Sequence, residues 1–228
     1  VTLINKTVVN HLRVRSSNDS TRSEGGFDTM VDIKRILFLT SNEGKLREAK
    51  HALEPRGYEI VSFVGGTNKV QLVEVQARDL VTVAQSKIEQ AESYVGNAHQ
   101  IDGVMVEDAG FFIDTYPSFP GVYSAHILES LGLEGILQLM HGRKERGAEF
   151  QSAIVLQIGS ERFVAQGRCR GRLSEDVRGN GGFGYDPLFI PEDGDGRTFA
   201  EMSLDEKKAL SHRGHAMARL LTLLEDRR

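Results

Sequence analysis

The chain has 228 residues, of which 39% are apolar and 26% charged, with 28 basic against 32 acidic side chains and a formal net charge of −4. That balance is too apolar for a disordered chain and lacks the bulk positive charge that drives binding to a nucleic-acid polymer. It offers no run of about 18 apolar residues to span a membrane, and its single cysteine, Cys169, can neither close an intrachain disulfide nor build a cysteine-rich zinc site, which points to a cytoplasmic setting.

Residues 1–29 read as a flexible extension, because Ser16 to Gly26 contains no apolar residue. Met30 is the natural start on this reading, and residues 30–228 form a single domain. Ile36 to Leu39 is a continuous apolar run and predicts a buried strand. Thr40, Ser41 and Asn42 supply helix-capping side chains, and Gly44 to Leu53 reads as a helix closed by Pro55 and Gly57. Tyr58 to Val64 predicts a second strand. Asp79 to Tyr94 predicts a helix with Leu80, Val83, Ala84, Ile88 and Ala91 on one face. Val104 to Val106 reads as a strand leading into Glu107 and Asp108. Glu134 to Met140 reads as a short helix. Phe150 to Gly159 and Arg162 to Arg172 alternate as a hairpin with Gly159 and Ser160 in the turn. Leu188 to Ile190 is a short strand, and Glu206 to Leu224 ends the chain as helix. Early alternation of strands and helices with late clustering of strands predicts an α/β fold on a mixed sheet.

Four constellations carry chemistry. The turn Thr40-Ser41-Asn42-Glu43-Gly44-Lys45 joins a strand to a helix, where free backbone N–H groups and the helix dipole favour an anion. Lys45 adds charge there, although junctions of this kind often serve only as helix caps. Asp108 and Glu107 follow an apolar run, and Glu74 follows another; carboxylates at the carboxyl ends of strands stand where open α/β sheets place ligands. Glu74 with Asp108 would suit Mg²⁺, which takes one or two carboxylates plus phosphate oxygens. The run Gly179 to Pro187 holds four glycines within six residues, with Phe183 and Tyr185 offering flat faces for a base and Asp186 an acceptor. Finally, Lys207 and Ser211 share a helix face if the helix is continuous, with His212 and Arg213 as donors beside them.

In this order, TSNEGK, EVQ, VEDAG, FPGVYSA, GGFGYDPLF, TFAEM and EKKALSHRG closely resemble the inosine triphosphate pyrophosphatase family, the XTP/dITP diphosphatases that clear deaminated purines from nucleotide pools. The likeness covers residues 35 to about 225. It implies an elongated mixed sheet dividing two lobes around a central cleft, a homodimer, and Mg²⁺-dependent hydrolysis of a nucleoside triphosphate to the monophosphate and pyrophosphate. By the same resemblance, Thr40 to Lys45 hold the phosphates, Glu74 and Asp108 bind Mg²⁺, and Asp108 also activates water. Lys207 contacts the triphosphate, while Phe183, Gly184, Tyr185, Asp186, His212 and Arg213 form the purine pocket. Ala109 stands where many members carry serine, which leaves only a backbone contact, and His126 stands where many bacterial members carry arginine. Donors from Arg213 and His212 would donate to a C6 carbonyl and would oppose the C6 amino group of adenine donor to donor. Glu107 and Asp108 remain alternatives for positioning the water. Removal of residues 1–29 is expected to leave turnover of ITP unchanged; a folded but inactive truncation would contradict that reading.

Overall fold

The computed structural model describes residues 33–62, 72–73, 75–95 and 101–226. Among these, seven strands form one sheet: β1 (Lys34–Phe38), β2 (Tyr58–Val61), β3 (Gly103–Ile113), β4 (Tyr116–Gly121), β5 (Gly147–Ile158), β6 (Glu161–Leu173) and β7 (Phe189–Pro191). The helices are α1 (Glu43–Leu53), α2 (Leu80–Val95), α3 (Ser124–Leu139), α4 (Leu204–Leu210) and α5 (His212–Glu225). The sheet order is β2-β1-β3-β5-β6-β7, with β4 on β3. β1 runs parallel to both β2 and β3, and the remaining pairs are antiparallel. The expected mixed α/β sheet is thus present.

Topology creates the crevice. β1 leads through α1 to β2 on one side, and β2 leads through α2 to β3 on the other. Right-handed crossovers in opposite directions put their helices on opposite faces of the sheet. The packing agrees. Ala49, Ala52 and Leu53 of α1 share a core with Met217, Leu220 and Leu224 of α5. Leu80, Ala84, Ile88 and Ala91 of α2 bury Val104, Val106 and Val155 on the far face. The two connections diverge at the carboxyl end of β1, the switch point where open α/β sheets bind ligands.

β3 differs from expectation. It runs for 11 residues, so Glu107 and Asp108 lie in its middle rather than at its end. β5 pairs along its whole length, from Gly103 opposite Ile158 to Ile113 opposite Ala148. Phe111 and Ile113 anchor the extension in a second core with Phe150, Tyr185, Phe189 and Phe199. On its other side β3 pairs with β1 only as far as Met105, and with β4 from Phe111 onward. Among the described residues, 106–110 have no strand neighbour on that side, and this open window holds both acids. Successive strand residues alternate faces, so Glu107 points to the α1/α5 side and Asp108 to the α2 side.

Other elements follow their local chemistry. The β5–β6 hairpin forms as expected, with Gly159 in the turn at φ 57°. β4 escapes an alternation reading because Pro117 and Pro120 interrupt it; an edge position tolerates them. The expected helix Glu134–Met140 is the second part of α3, which is broken at Gly132 (φ 65°, ψ 178°). The expected final helix is two helices. Ser211 adopts an extended conformation, ends α4, and caps α5 by accepting from Gly214 N at 3.0 Å. Lys207 and Ser211 therefore do not share one continuous helical face.

α5 lies tightly on β6 at Gly167, where a Cβ would collide with the His212 carbonyl oxygen and the Ala216 backbone nitrogen. Gly167→Ala is expected to push the amino end of α5 off the sheet. The cost is about 1–3 kcal/mol in urea denaturation, with activity falling alongside; unchanged stability and turnover would contradict the close approach.

Candidate active site

Each segment brings one part to the open window of β3. The turn after β1 is first a helix cap: Asn42 Oδ1 accepts from Lys45 N at 3.0 Å, and Thr40 Oγ1 accepts from Asn42 N at 3.1 Å. Ser41, Asn42 and Glu43 are exposed, while Gly44 is buried. Lys45 reaches back from the first turn of α1 to within 3.7 Å of Glu107 Oε2. Burial lowers the Lys45 pKa, against the attraction of Glu107. A cation strained in this way gains from an anionic ligand.

The two acids of β3 have separate partners. Asp108 Oδ1 accepts from Lys87 Nζ at 2.7 Å across the α2 face. Glu107, with a fully buried side chain, accepts from Arg213 Nε at 2.8 and 2.9 Å and from Ser152 Oγ at 2.8 Å. Burial works against its charge, but Arg213 and Lys45 prevail and hold the carboxyl well below the usual range. Ala109 is half-buried beside them. Glu74 lies outside the described residues. Its neighbour Val73 is docked on α2: its N–H donates to Gln90 Oε1 at 2.7 Å, and Gln90 Nε2 donates to its carbonyl at 2.8 Å.

The glycine-rich loop gives its two aromatics different fates. Phe183 is half-buried, with its ring against Gly44, where a Cβ would overlap the ring. Lys207 Nζ lies 4.7 Å and the Arg213 guanidinium carbon 5.3 Å from the ring centroid. Tyr185 departs from the expected stacking face. Its ring packs on Phe111 at 4.4 Å and its hydroxyl donates to the Ser124 carbonyl, so it belongs to the core. Asp186 is likewise committed: Oδ2 accepts from Phe183 N at 2.6 Å and from Lys207 Nζ at 2.7 Å. Burial raises its pKa while Lys207 opposes the rise. Gly182 (φ 67°) must be glycine, since a side chain would strike the Asp186 carboxylate. Gly184 is exposed at φ 66°.

The C-terminal cluster closes the site. Lys207 Nζ also donates to Glu48 Oε1 at 2.6 Å, and Arg213 Nη1 pairs with Glu48 Oε2. Burial opposes the Glu48 charge, yet Arg213 and Lys207 keep its pKa below normal. His212 stacks flat on Phe150, with centroids 4.5 Å apart and 7° between planes. Its Nδ1 is buried without a hydrogen-bond partner among the described residues. Between α1, α4 and the loop opens a cavity of about 270 Å³, lined by Gly44, Arg47, Glu48, Gly182, Phe183 and Lys207 among others.

Glu48, Lys87 and Ser152 belong to this assembly and are not singled out in the sequence reading. Lys87 carried a signal: it falls in the apolar stripe of α2, where a lysine needs a buried partner. Glu48 stands one turn beyond Gly44 and Lys45 on α1, which shares a face with them. Ser152 had no local signal, because only the β3–β5 register, which sets it opposite Ala109, aims it at Glu107.

Comparison with known proteins places this geometry in context. The Ham1 family matches residues 36–223. A dITP/XTP pyrophosphatase of Pyrococcus horikoshii is 44% identical over 183 residues, covering 80% of this chain and 92% of that protein. A dITP/XTP pyrophosphatase of Thermococcus kodakarensis is 41% identical over 193 residues, covering 84% and 98%. A solved HAM1 protein from Coxiella burnetii superposes with a TM-score of 0.71 at 26% identity, covering 85% of this chain and 99% of that one.

Burial, then the charge of Arg213, lowers the His212 pKa well below its ordinary value of 6.5. The unfolded chain therefore binds a proton that the folded chain refuses as the pH falls through that value. Stability should drop on acidification, with a contribution approaching about 1.4 kcal/mol per pH unit below pH 6. His212→Phe, which keeps the stack on Phe150, should remove this part of the slope in urea denaturation at pH 7.5 and 5.5. Equal slopes for the two proteins would contradict a buried neutral imidazole.

Proposed function

Because the chain belongs to the Ham1 family, we propose that it hydrolyses deaminated purine nucleoside triphosphates (dITP, ITP and XTP) to the monophosphate and pyrophosphate. The observation that carries this reading is that two lysines from separate segments reach the adjacent acids of β3 beside the switch point, Lys45 of α1 at Glu107 and Lys87 of α2 at Asp108, and that the charge of Asp108 is felt at Lys45. Two lysines and a run of helix-terminal N–H groups suit a polyphosphate, and a carboxylate beside them suits proton removal. The relatives' names, dITP/XTP pyrophosphatase, give the substrate class.

In this mechanism water attacks the α-phosphorus in line. A bond forms from the water oxygen to that phosphorus as the bond to the α,β-bridging oxygen breaks, and pyrophosphate departs with the electron pair. Asp108 takes the proton of the water, and its hydrogen bond from Lys87 Nζ orients the carboxyl group for that task. Lys45 and the capping turn neutralise charge on the phosphates, and electrostatic stabilisation of this sort supplies most of the catalysis in phosphoryl chemistry. Phe183 offers the half-buried face for the base beside the 270 Å³ cavity. The Lys207 ammonium lies at the Phe183 ring, so its work is at the base end of the slot as well as toward the phosphates.

The Asp108 carboxylate suits a magnesium ion arriving with the substrate, since Mg²⁺ needs only one or two protein carboxylates and takes its other ligands from phosphate and water. Asp108, with Glu74, would hold it. Bound there, it would neutralise phosphate charge and acidify a water molecule. Pairing as a homodimer and a cytoplasmic location complete the reading. Among the described residues, no helix is long and apolar enough to cross a membrane.

Incubation with ITP, XTP, dITP and ATP tests this directly. Pyrophosphate, not orthophosphate, should form from the first three and require Mg²⁺, with kcat/KM at least about 10²-fold above that for ATP. Asp108→Asn should lower kcat by about 10²–10⁴. Orthophosphate release, or equal use of ATP and ITP, would overturn the assignment.

A further inference from the structure

We infer that Glu107 is a positioning residue, a buried counter-ion that fixes Arg213 and through it the Phe183 slot, while the neighbouring Asp108 alone attends to the phosphate. The inference rests on the functional reading above and divides two adjacent carboxylates between two jobs.

The geometry separates them. β3 alternates faces, so the two carboxylates diverge across the sheet, Asp108 toward Lys87 and Glu107 toward α1 and α5. Both Glu107 oxygens are engaged by Arg213 Nε, Oε1 accepts from Ser152 Oγ as well, and Lys45 stands 3.7 Å from Oε2. Its side chain is 0% exposed. A water-activating base or a magnesium ligand must present a lone pair to the reacting centre, and Glu107 spends its acceptors on fixed donors instead.

What it fixes is a single guanidinium. Arg213 is 2% exposed, and Glu48 on α1 takes its Nη1 while Glu107 on β3 takes its Nε. Two carboxylates from different elements therefore set the plane and the depth of the group. The guanidinium lies 5.3 Å from the Phe183 centroid, so its placement sets one wall of the slot. An arginine held on one side only would swing, and the slot would lose both affinity and discrimination while the Asp108–Lys87 pair on the other face of the sheet stayed in place.

The test is Glu107→Gln, assayed with ITP and ATP over a range of Mg²⁺ concentrations. KM for ITP should rise about 10-fold or more, and the ITP to ATP preference in kcat/KM should shrink by a similar factor. Changes in kcat should stay within about threefold, and half-saturating Mg²⁺ should not move. In an Arg213→Lys background the same substitution should have little further effect, since residues that act as a unit are non-additive. A fall in kcat of about 100-fold at unchanged KM, or a higher Mg²⁺ requirement, would overturn the inference and make Glu107 a base or a ligand. If Glu107→Gln does not fold, Ser152→Ala keeps the ion pair and removes one of its guides; it should shift KM in the same direction by about two- to fivefold, and no shift would count against the proposal. A readout independent of turnover is the Arg213 Nε–H resonance, which should be protected from exchange in the ligand-free protein and lose that protection in Glu107→Gln. Retained protection would refute the positioning role, whereas a wild-type protein that releases no pyrophosphate from ITP would refute only the functional reading.

Discussion

Charged groups buried without partners are among the costliest features a fold can carry, and this site exists only because its charges neutralise one another. Glu48, Glu107, Asp108 and Asp186 face Lys45, Lys87, Lys207 and Arg213 at the sheet and its covering helices. Removing one partner from a buried pair typically costs 3–5 kcal/mol, because the other charge is left behind. The chain of contacts from Asp186 through Lys207, Glu48 and Arg213 to Glu107 ties the glycine-rich loop, α4, α1, α5 and β3 into one unit. Elements remote in sequence are held in register by this chain as much as by their apolar faces. The same balance prepares the site for its ligand, since cations already fixed in place need little reorganisation when phosphate charge arrives.

The sheet supplies the opening that this network surrounds. β3 is supported along its full length by β5 and, among the described residues, on its other side only at its two ends. Its middle is consequently held rigid by β5 while its other edge, buried under side chains, carries no strand among these residues. Rigid scaffolds with one interrupted edge allow polar side chains to reach a ligand without exposing the core. Placing adjacent carboxylates there exploits the pleat, because one residue of separation along the strand becomes a full sheet thickness between side chains.

Much of this was legible in the sequence where the signal is local. Ile36 to Phe38 form a continuous apolar run, and a buried strand follows. The alternation of β5 and β6 around Gly159 yields the hairpin directly. The motif segments TSNEGK, VEDAG, GGFGYDP and SHRG all come to one crevice. What was not legible depends on packing at a distance. Phe111 to Ile113 are strand-forming residues, but the acidic pair Glu107-Asp108 and Gly110 separate them from Val104 to Val106, and only pairing with β5 joins the two runs into one strand. The helical pattern of residues 206–224 passes through Ser211, yet the chain turns there because Ser211 both ends α4 and caps α5. Phe183 and Tyr185 look equivalent on a glycine-rich loop, and only the aromatic core around Phe111 decides that Tyr185 turns inward. Glu48 reads as one more helical acid until Lys207 and Arg213 are seen on either side of it.

The central claim is that this crevice delivers water from the Asp108 side to the α-phosphorus of a bound purine nucleoside triphosphate. Turnover of ITP in ¹⁸O-labelled water, with the products analysed by mass spectrometry, tests it most directly. The account predicts one labelled oxygen in the nucleoside monophosphate and none in the pyrophosphate. Label in the pyrophosphate would place the attack on the β-phosphorus and contradict the arrangement of acids and lysines described above.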